Sequence, residues 1–268
     1  MRKDTYQWLI PALLALGVAG ALWFYWGQSR QQDRKLVEPA TPAVEAPEEV
    51  REGPEHPLET TRDTAAAEPQ LRPLPPLDES DEYFKLELSD LFGESLDNRL
   101  ADSGLIERIV ATVDNLPREQ IAERIKPMAG APGPFIVKNG GKEDEFILDP
   151  ENYQRYEALV DLVAKAEPAE LEELYRRFYP LFQKAYVDLG YPQGYFNDRV
   201  IEVIDHLLET PEIDGPVLLR RPHVLYEYAD PALEELSPGQ KLLLRIGNEH
   251  AATIKAKLRE FRGRIIIP

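Results

Sequence analysis

The chain has no cysteine, two methionines and four histidines among 268 residues. Without cysteine, thiol catalysis, disulfide frameworks and zinc–thiolate sites are excluded, and disulfides give no indication of compartment. The common catalytic motifs are missing as well: there is no G-x-S-x-G elbow, H-E-x-x-H pair, Walker A loop or G-x-G-x-x-G turn. Gly140-Gly141-Lys142 lacks the glycine spacing and following hydroxyl residue of a phosphate loop and reads as a hairpin turn. No serine sits on a recognisable elbow, so no Ser-His-Asp arrangement is indicated. The sequence therefore assigns no catalytic residue, no cofactor and no metal ligand. Positive charge is also scarce, with 31 Lys and Arg against 48 Asp and Glu, a net −17. Such a balance disfavours nucleic acid as a partner.

One long apolar run is present. Thr5 to Ser29 carries no charged side chain, and Leu9 to Trp26 is almost wholly apolar. At ~1.5 Å per residue that run spans roughly 27 Å, close to a ~30 Å bilayer core. Leu9, Leu13, Leu16, Leu22 and Trp26 lie along it, and Tyr6, Trp8, Trp23, Phe24 and Tyr25 flank or end it, as suits headgroup level. The reading is a transmembrane helix within residues 1–29. A cleaved signal peptide competes, but the run ends in bulky aromatics and not in small residues. Arg2 and Lys3 on one side nearly balance Arg30, Arg34 and Lys35 on the other. The short tail favours a cytoplasmic N-terminus, a bacterial inner-membrane location and a periplasmic soluble domain.

Residues 30–77 read as a disordered, Pro/Glu-rich linker. From Leu36 to Leu77 nine acidic residues face three basic ones, prolines recur, and apolar residues show no periodicity. His56 lies in this stretch. A Pro-x-x-Pro spacing with a basic flank occurs near Arg72-Pro73-Leu74-Pro75-Pro76.

Residues 78–268 have globular character, long enough for one well-buried core. Ile106, Ile109, Val110 and Val113 form a helical stripe ended by Pro117. Asp149-Pro150 reads as a helix cap with proline at the first position. The apolar period from Leu171 to Leu189 runs through Pro180, predicting one kinked helix stopped by Gly190. A helix is expected over Tyr195 to Leu208, and Ser237-Pro238-Gly239-Gln240 is a capping box. A last helix carries Ala251, Ile254, Leu258 and Phe261. Phe135-Ile136-Val137 and Phe146-Ile147-Leu148 flank Asn139-Gly140-Gly141 as a hairpin. Val217 to Leu219 and Val224 to Tyr226 are a second candidate pair, limited to an edge by Pro222.

Several segments together carry a resemblance: Leu74 to Asp81, Arg108 to Pro117, Asp149 to Tyr153, Tyr191 to Arg199, Arg221 to Glu227 and Gly239 to Arg245. They resemble the bacterial domain-of-unknown-function family numbered 3014, over Leu74 to about Arg262. The resemblance implies a bacterial protein with an N-terminal anchor and brings no catalytic residue with it.

The densest set of candidate functional side chains lies between Tyr191 and His206. Asp198, Glu202, Asp205 and Glu209 fall at helical spacing beside His206, the donor types of a divalent-cation face. The apolar residues occupy the opposite side, so these acids read as the solvated face. Asn197 or Asp198 suits a helix cap, and Arg199 suits pairing with a neighbouring acid. Exposed aromatics beside Asn and Arg also suit sugar or peptide binding. The binding candidates are Tyr191, Tyr195, Asn197, Asp198, Arg199, His206, Arg221 and Tyr226. Asp78 to Gln240 holds 16 Lys and Arg against 35 Asp and Glu, whereas Lys241 to Pro268 holds seven against two. The basic terminal helix is expected to pack on the acidic body. The combined reading is a mainly α protein: a transmembrane helix, a linker and a helical domain with a small β-hairpin. Its function is read as a membrane-anchored interaction or scaffold module with a protein partner. The alternative is an envelope hydrolase acting on cell wall or polysaccharide through a carboxylate pair.

Overall fold

The computed structural model describes residues 53–58, 73–118, 122–142 and 144–266. The chain divides between Glu52 and Gly53, and every described residue belongs to the second unit. Eight α-helices are described: α1 (Asp81–Phe92), α2 (Leu105–Asn115), α3 (Glu151–Lys165), α4 (Pro168–Leu189), α5 (Phe196–Leu208), α6 (Pro231–Glu234), α7 (Pro238–Ile246) and α8 (Asn248–Ile265). Four short strands accompany them: β1 (Val137–Asn139), β2 (Glu145–Leu148), β3 (Leu218–Arg220) and β4 (Glu227–Tyr228).

The transmembrane reading is corrected. Among the described residues no helix is long and apolar enough to cross a membrane. The longest of them, α4, has 22 residues and carries Glu170, Glu172, Glu173, Arg176, Arg177, Lys184 and Asp188, charges too costly for a bilayer core. The run Leu9 to Trp26, with Leu9, Leu13, Leu16, Leu22 and Trp26, lies outside the described residues. The single-pass anchor, the membrane as partner, the envelope location and its sidedness therefore drop out of the account. Most of the stretch read as a linker also lies outside the described residues, but 53–58 and 73–77 are described.

Local sequence explains the helices. In α2 the apolar stripe buries Leu105, Ile106 and Val110. Helix α4 begins with proline at its first position, continues unbroken through Pro180, and ends at Gly190, whose φ of 125° suits a residue without Cβ. Before α7, Ser237 accepts from the Gln240 amide and the Gln240 side chain accepts from the Ser237 amide, the reciprocal box expected from sequence. Helix α3 starts one position later than Asp149-Pro150 suggests, yet Asp149 still accepts the Glu151 amide at 3.0 Å.

The β structure is larger than a hairpin. The strands form one antiparallel sheet in the order β1-β2-β3-β4. The hairpin pairs Val137 with Leu148 and Asn139 with Phe146. At its turn a Cβ on Gly140 would stand 2.7–3.0 Å from Glu145 atoms, so the close return of the chain requires glycine. The second expected pair is shifted: Leu219 faces Tyr228 and Arg220 faces Glu227. Val224 and Leu225 are thereby placed in the connecting loop, 78% and 76% exposed. The shift puts Tyr228, not Tyr226, on the buried face with Leu148, Leu219 and Leu244.

The main core joins α1, α2, α4 and α5 through Phe84, Leu105, Ile106, Val110, Phe178, Phe182, Phe196 and Ile204, with Ile265 from the end of α8. A second cluster lies at the sheet, and a third joins Val203 and Leu207 of α5 to Leu243, Ile246 and Ala251. Phe178 is fully buried and its ring lies 4.8 Å from that of Phe84 and 5.7 Å from that of Tyr83. Phe178→Ala is expected to cost about 3–5 kcal/mol in urea unfolding, because it opens a cavity in the main core. Val224→Ser should change stability by less than about 0.5 kcal/mol in the same measurement.

Candidate functional site

The first turn of α5 is built around a cap supplied from another helix. Gln183 of α4 accepts the Phe196 amide through its Oε1 at 2.8 Å and donates through Nε2 to the Gly194 carbonyl at 2.7 Å. The expectation that Asn197 or Asp198 caps this helix is thus replaced, and both side chains reach other segments. Asn197 has no exposed surface. Its Oδ1 accepts the Tyr175 hydroxyl at 3.1 Å. Its Nδ2 donates to the Ile265 carbonyl at 3.2 Å and to the His56 carbonyl at 2.9 Å.

Asp198 completes the contact. Its Oδ2 accepts the Glu55 amide at 3.0 Å and its Oδ1 accepts the His56 amide at 2.7 Å. One carboxylate therefore holds two successive main-chain N–H groups of a segment more than 140 residues away in sequence. Leu58 then packs against the main core cluster. The docked residues read Gly53-Pro54-Glu55-His56-Pro57-Leu58. Beneath them, burial holds the Tyr175 phenol well above its ordinary range and pushes Tyr179 up to about 12. Tyr175 is accordingly a neutral hydroxyl donor to Asn197 at physiological pH.

Tyr191 and Arg199 belong to a different group, centred on buried Asp114 at the end of α2. Arg199 Nε lies 3.0 Å from Asp114 Oδ1, its Nη2 donates to the Asp114 carbonyl at 2.8 Å, and its Nη1 lies 2.7 Å from Glu202. Arg118 contacts Asp114 Oδ2 at 3.0 Å, and the Tyr191 hydroxyl donates to the same oxygen at 3.2 Å while accepting from Arg118. Burial alone would lower the Arg199 pKa, but the hydrogen bond to Glu202 and the charges of Glu202 and Asp114 reverse this and raise it. The Tyr191 ring stacks on Tyr186 at 4.5 Å. Asp114 is thus held by several donors, and the group ties α2 to α5.

The remaining candidates are placed elsewhere. Tyr195 stands before α5 and contributes its carbonyl, which accepts the Arg199 amide at 3.2 Å. His206 Nε2 lies 2.8 Å from the Ser237 hydroxyl, and its carbonyl accepts from Gln240, so it supports the cap of α7. Arg221 sits 5.3 Å over the Tyr226 ring, which meets Phe146 edge-on. The eight candidates therefore divide among separate groups. Gln183, Tyr175, Asp114, Glu55, His56 and Leu58 complete those groups and carry no recognisable motif beyond the Pro-x-x-Pro spacing of 54–57.

The acidic face of α5 is occupied by internal partners. Asp205 receives Arg262 Nε and Nη2 at 2.5 and 2.7 Å, and Glu202 receives Arg199. Among the described residues no cluster of three or more His, Cys, Asp or Glu side chains is arranged to hold a metal. The hydrolase reading required two facing carboxylates. A cavity of about 460 Å³ between α3, α7 and the start of α8 is lined by Tyr153, Val217, Leu244, Glu249 and His250 among others, and Glu249 is the one carboxylate in its lining. This cavity does not present the facing carboxylate pair of that reading.

The chain belongs to the family described as Protein of unknown function (DUF3014), which matches residues 105–262. No curated protein and no solved structure matches it significantly. Asn197 and Asp198 fall inside the family match; the segment they hold, 53–58, falls outside it.

Tyr179, Tyr186 and Tyr228 all have pKa values raised from the usual 10 to about 12, chiefly by burial. The folded state therefore holds more protons than the unfolded state between these values, so their contribution to stability is complete below pH 10 and is lost as pH rises toward about 12. Urea unfolding across this alkaline range should show a falling stability, and Tyr186→Phe should make the fall shallower.

Proposed function

We propose that this domain is a peptide-recognition module whose reading head is the first turn of α5. The observation that carries this is the Asp198 carboxylate, which takes two successive amides of residues 55 and 56, with the Asn197 amide completing the set at the His56 carbonyl. All three contacts go to main chain, so another polypeptide segment can present the same groups. Hydrogen bonds to an ionised acceptor are among the stronger ones, about 1.5–3 kcal/mol each. The Asn197 side chain is fixed in advance by Tyr175 and Ile265, which lowers the ordering cost of binding.

A comparison within the molecule supports the reading. Asp81 holds two successive amides in the same way, Gly104 at 2.8 Å and Leu105 at 2.7 Å. There the clamped residues open α2 and belong to the folded body. At Asp198 they belong to a short segment joined to that body through residues 59–72, outside the described residues. Segment 53–58 thus acts as a resident occupant of the site.

The test uses the full chain. His56→Pro removes one of the two amides and should release the resident segment. A fluorescent Gly53–Leu58 peptide is then expected to bind the His56→Pro chain at least about ten-fold more tightly than the unmodified chain. Adding Asp198→Ala should weaken that binding at least ten-fold, since it removes more than ~1.4 kcal/mol of contact. Failure of a folded His56→Pro chain to bind the peptide, with unchanged circular dichroism, would show that 53–58 is only a fixed strap.

A further inference from the structure

We infer that the ligand class of this site is a Pro-x-x-Pro segment followed by an aliphatic residue, read in one register; this rests on the peptide-recognition reading above. The resident sequence is Pro54-Glu55-His56-Pro57-Leu58. Proline has no amide hydrogen. Between Gly53 and Leu58 the only main-chain donors are therefore those of Glu55 and His56, and these are the two that Asp198 accepts. Moving the segment by one residue in either direction would set a proline nitrogen against a carboxylate oxygen. That oxygen would lose one hydrogen bond at the exposed to part-buried edge of the domain. At the net worth of such a bond, this is a loss of roughly two- to twelve-fold in affinity. The proline bracket thus specifies the register that main-chain recognition alone would leave open.

The bracket has a second effect. Each proline fixes its own φ, and the residue before it, Gly53 or His56, is restricted as well. A segment so restricted loses less freedom when it docks, about two- to five-fold in affinity per proline at the usual size of this effect. The position after the bracket is read by packing: Leu58 meets the main core cluster. Both middle residues are held by their main-chain amides.

The same chain holds a natural contrast. Pro73-Leu74-Pro75-Pro76-Leu77 has the same proline spacing and the same final leucine. Its third residue is Pro75, so it lacks one of the two amides. This stretch is not held by Asp198; it leads into a short helical turn in which the Glu79 amide donates to the Pro76 carbonyl at 3.0 Å.

A competition experiment tests the inference on the full-length His56→Pro chain, with the labelled Gly53–Leu58 peptide as probe. A competitor with His56→Ala should bind within about two-fold of the parent. One with Pro54→Ala and Pro57→Ala should bind about four- to 25-fold more weakly, the product of two proline effects. Leu58→Ser should weaken binding at least ten-fold, and the Pro73–Leu77 peptide should not compete. If the proline-free and Leu58→Ser peptides compete as well as the parent, the ligand class is wrong while main-chain recognition stands. If the probe itself does not bind, both fall. An independent measurement needs no added peptide. In the otherwise unmodified full chain, Pro54→Ala with Pro57→Ala should speed hydrogen exchange at the Glu55 and His56 amides at least four-fold, and unchanged exchange would overturn the bracket.

Discussion

The fully buried side-chain amide of Asn197 is the constraint on which the arrangement around the site depends. A polar group with no access to water must find partners within the protein or lose roughly 1–3 kcal/mol for each unmet bond. Asn197 finds them in three distant parts of the chain: Tyr175 in α4, Ile265 at the end of α8, and His56. A single side chain thereby fixes the relation between the long helix, the C-terminal helix and the docked segment. The cap of α5 comes from elsewhere, because Tyr195 at the cap position makes no side-chain cap bond and Gln183 accepts the Phe196 amide instead. Gln183 is held in turn by the Tyr179 hydroxyl, at 3.1 Å.

The excess of acid has a structural use that net charge alone does not suggest. Asp81, Asp149, Asp198 and Asp230 each accept main-chain amides, three of them at or beside the start of a helix. Such amides have no partner in their own helix, and a carboxylate there also meets the positive end of the helix dipole. Other acids are matched by the basic C-terminal helix: Arg262 to Asp205 and Arg264 to Glu172. Lys257 donates to the Ala166 carbonyl. The opposed charge of the terminal segment and the body is therefore expressed as docking of α8 within the molecule.

Periodicity made α2, α4, α5, α7 and α8 legible, since each buries a stripe that repeats with the helical turn. The capping box at Ser237 was legible because both of its partners lie within four residues. Helix α1 is not legible in the sequence, because only Phe84 and Leu88 are buried from it, too few to mark a period against its charged residues. The β3–β4 register escapes the sequence because Val224-Leu225 has strand character while the backbone places it in an exposed loop. The anchor expected at Leu9 to Trp26 rests on hydropathy alone, over residues outside the described structure, and no described helix can cross a membrane. At the site, sequence pointed to Asn197 and Asp198 by residue type but gave them the wrong task. Caps are local, whereas the main-chain groups these residues bind lie more than 140 positions earlier, and no pattern in one sequence encodes that distance.

Asp81 and Asp198 show how one device serves both folding and recognition. The chemistry is the same, two successive amides on one carboxylate, with distances of 2.7–3.0 Å in both cases. What separates them is the connection of the clamped residues to the rest of the molecule. Releasing Gly104 and Leu105 would uncap α2, whose Leu105 and Ile106 are fully buried, so that clamp opens only with the core. Releasing Glu55 and His56 breaks their bonds to Asp198 and Asn197 and the packing of Leu58 on the core. On the proposed reading, the first contact opens only with the fold, while the second is the one that another segment of the same chemistry would replace.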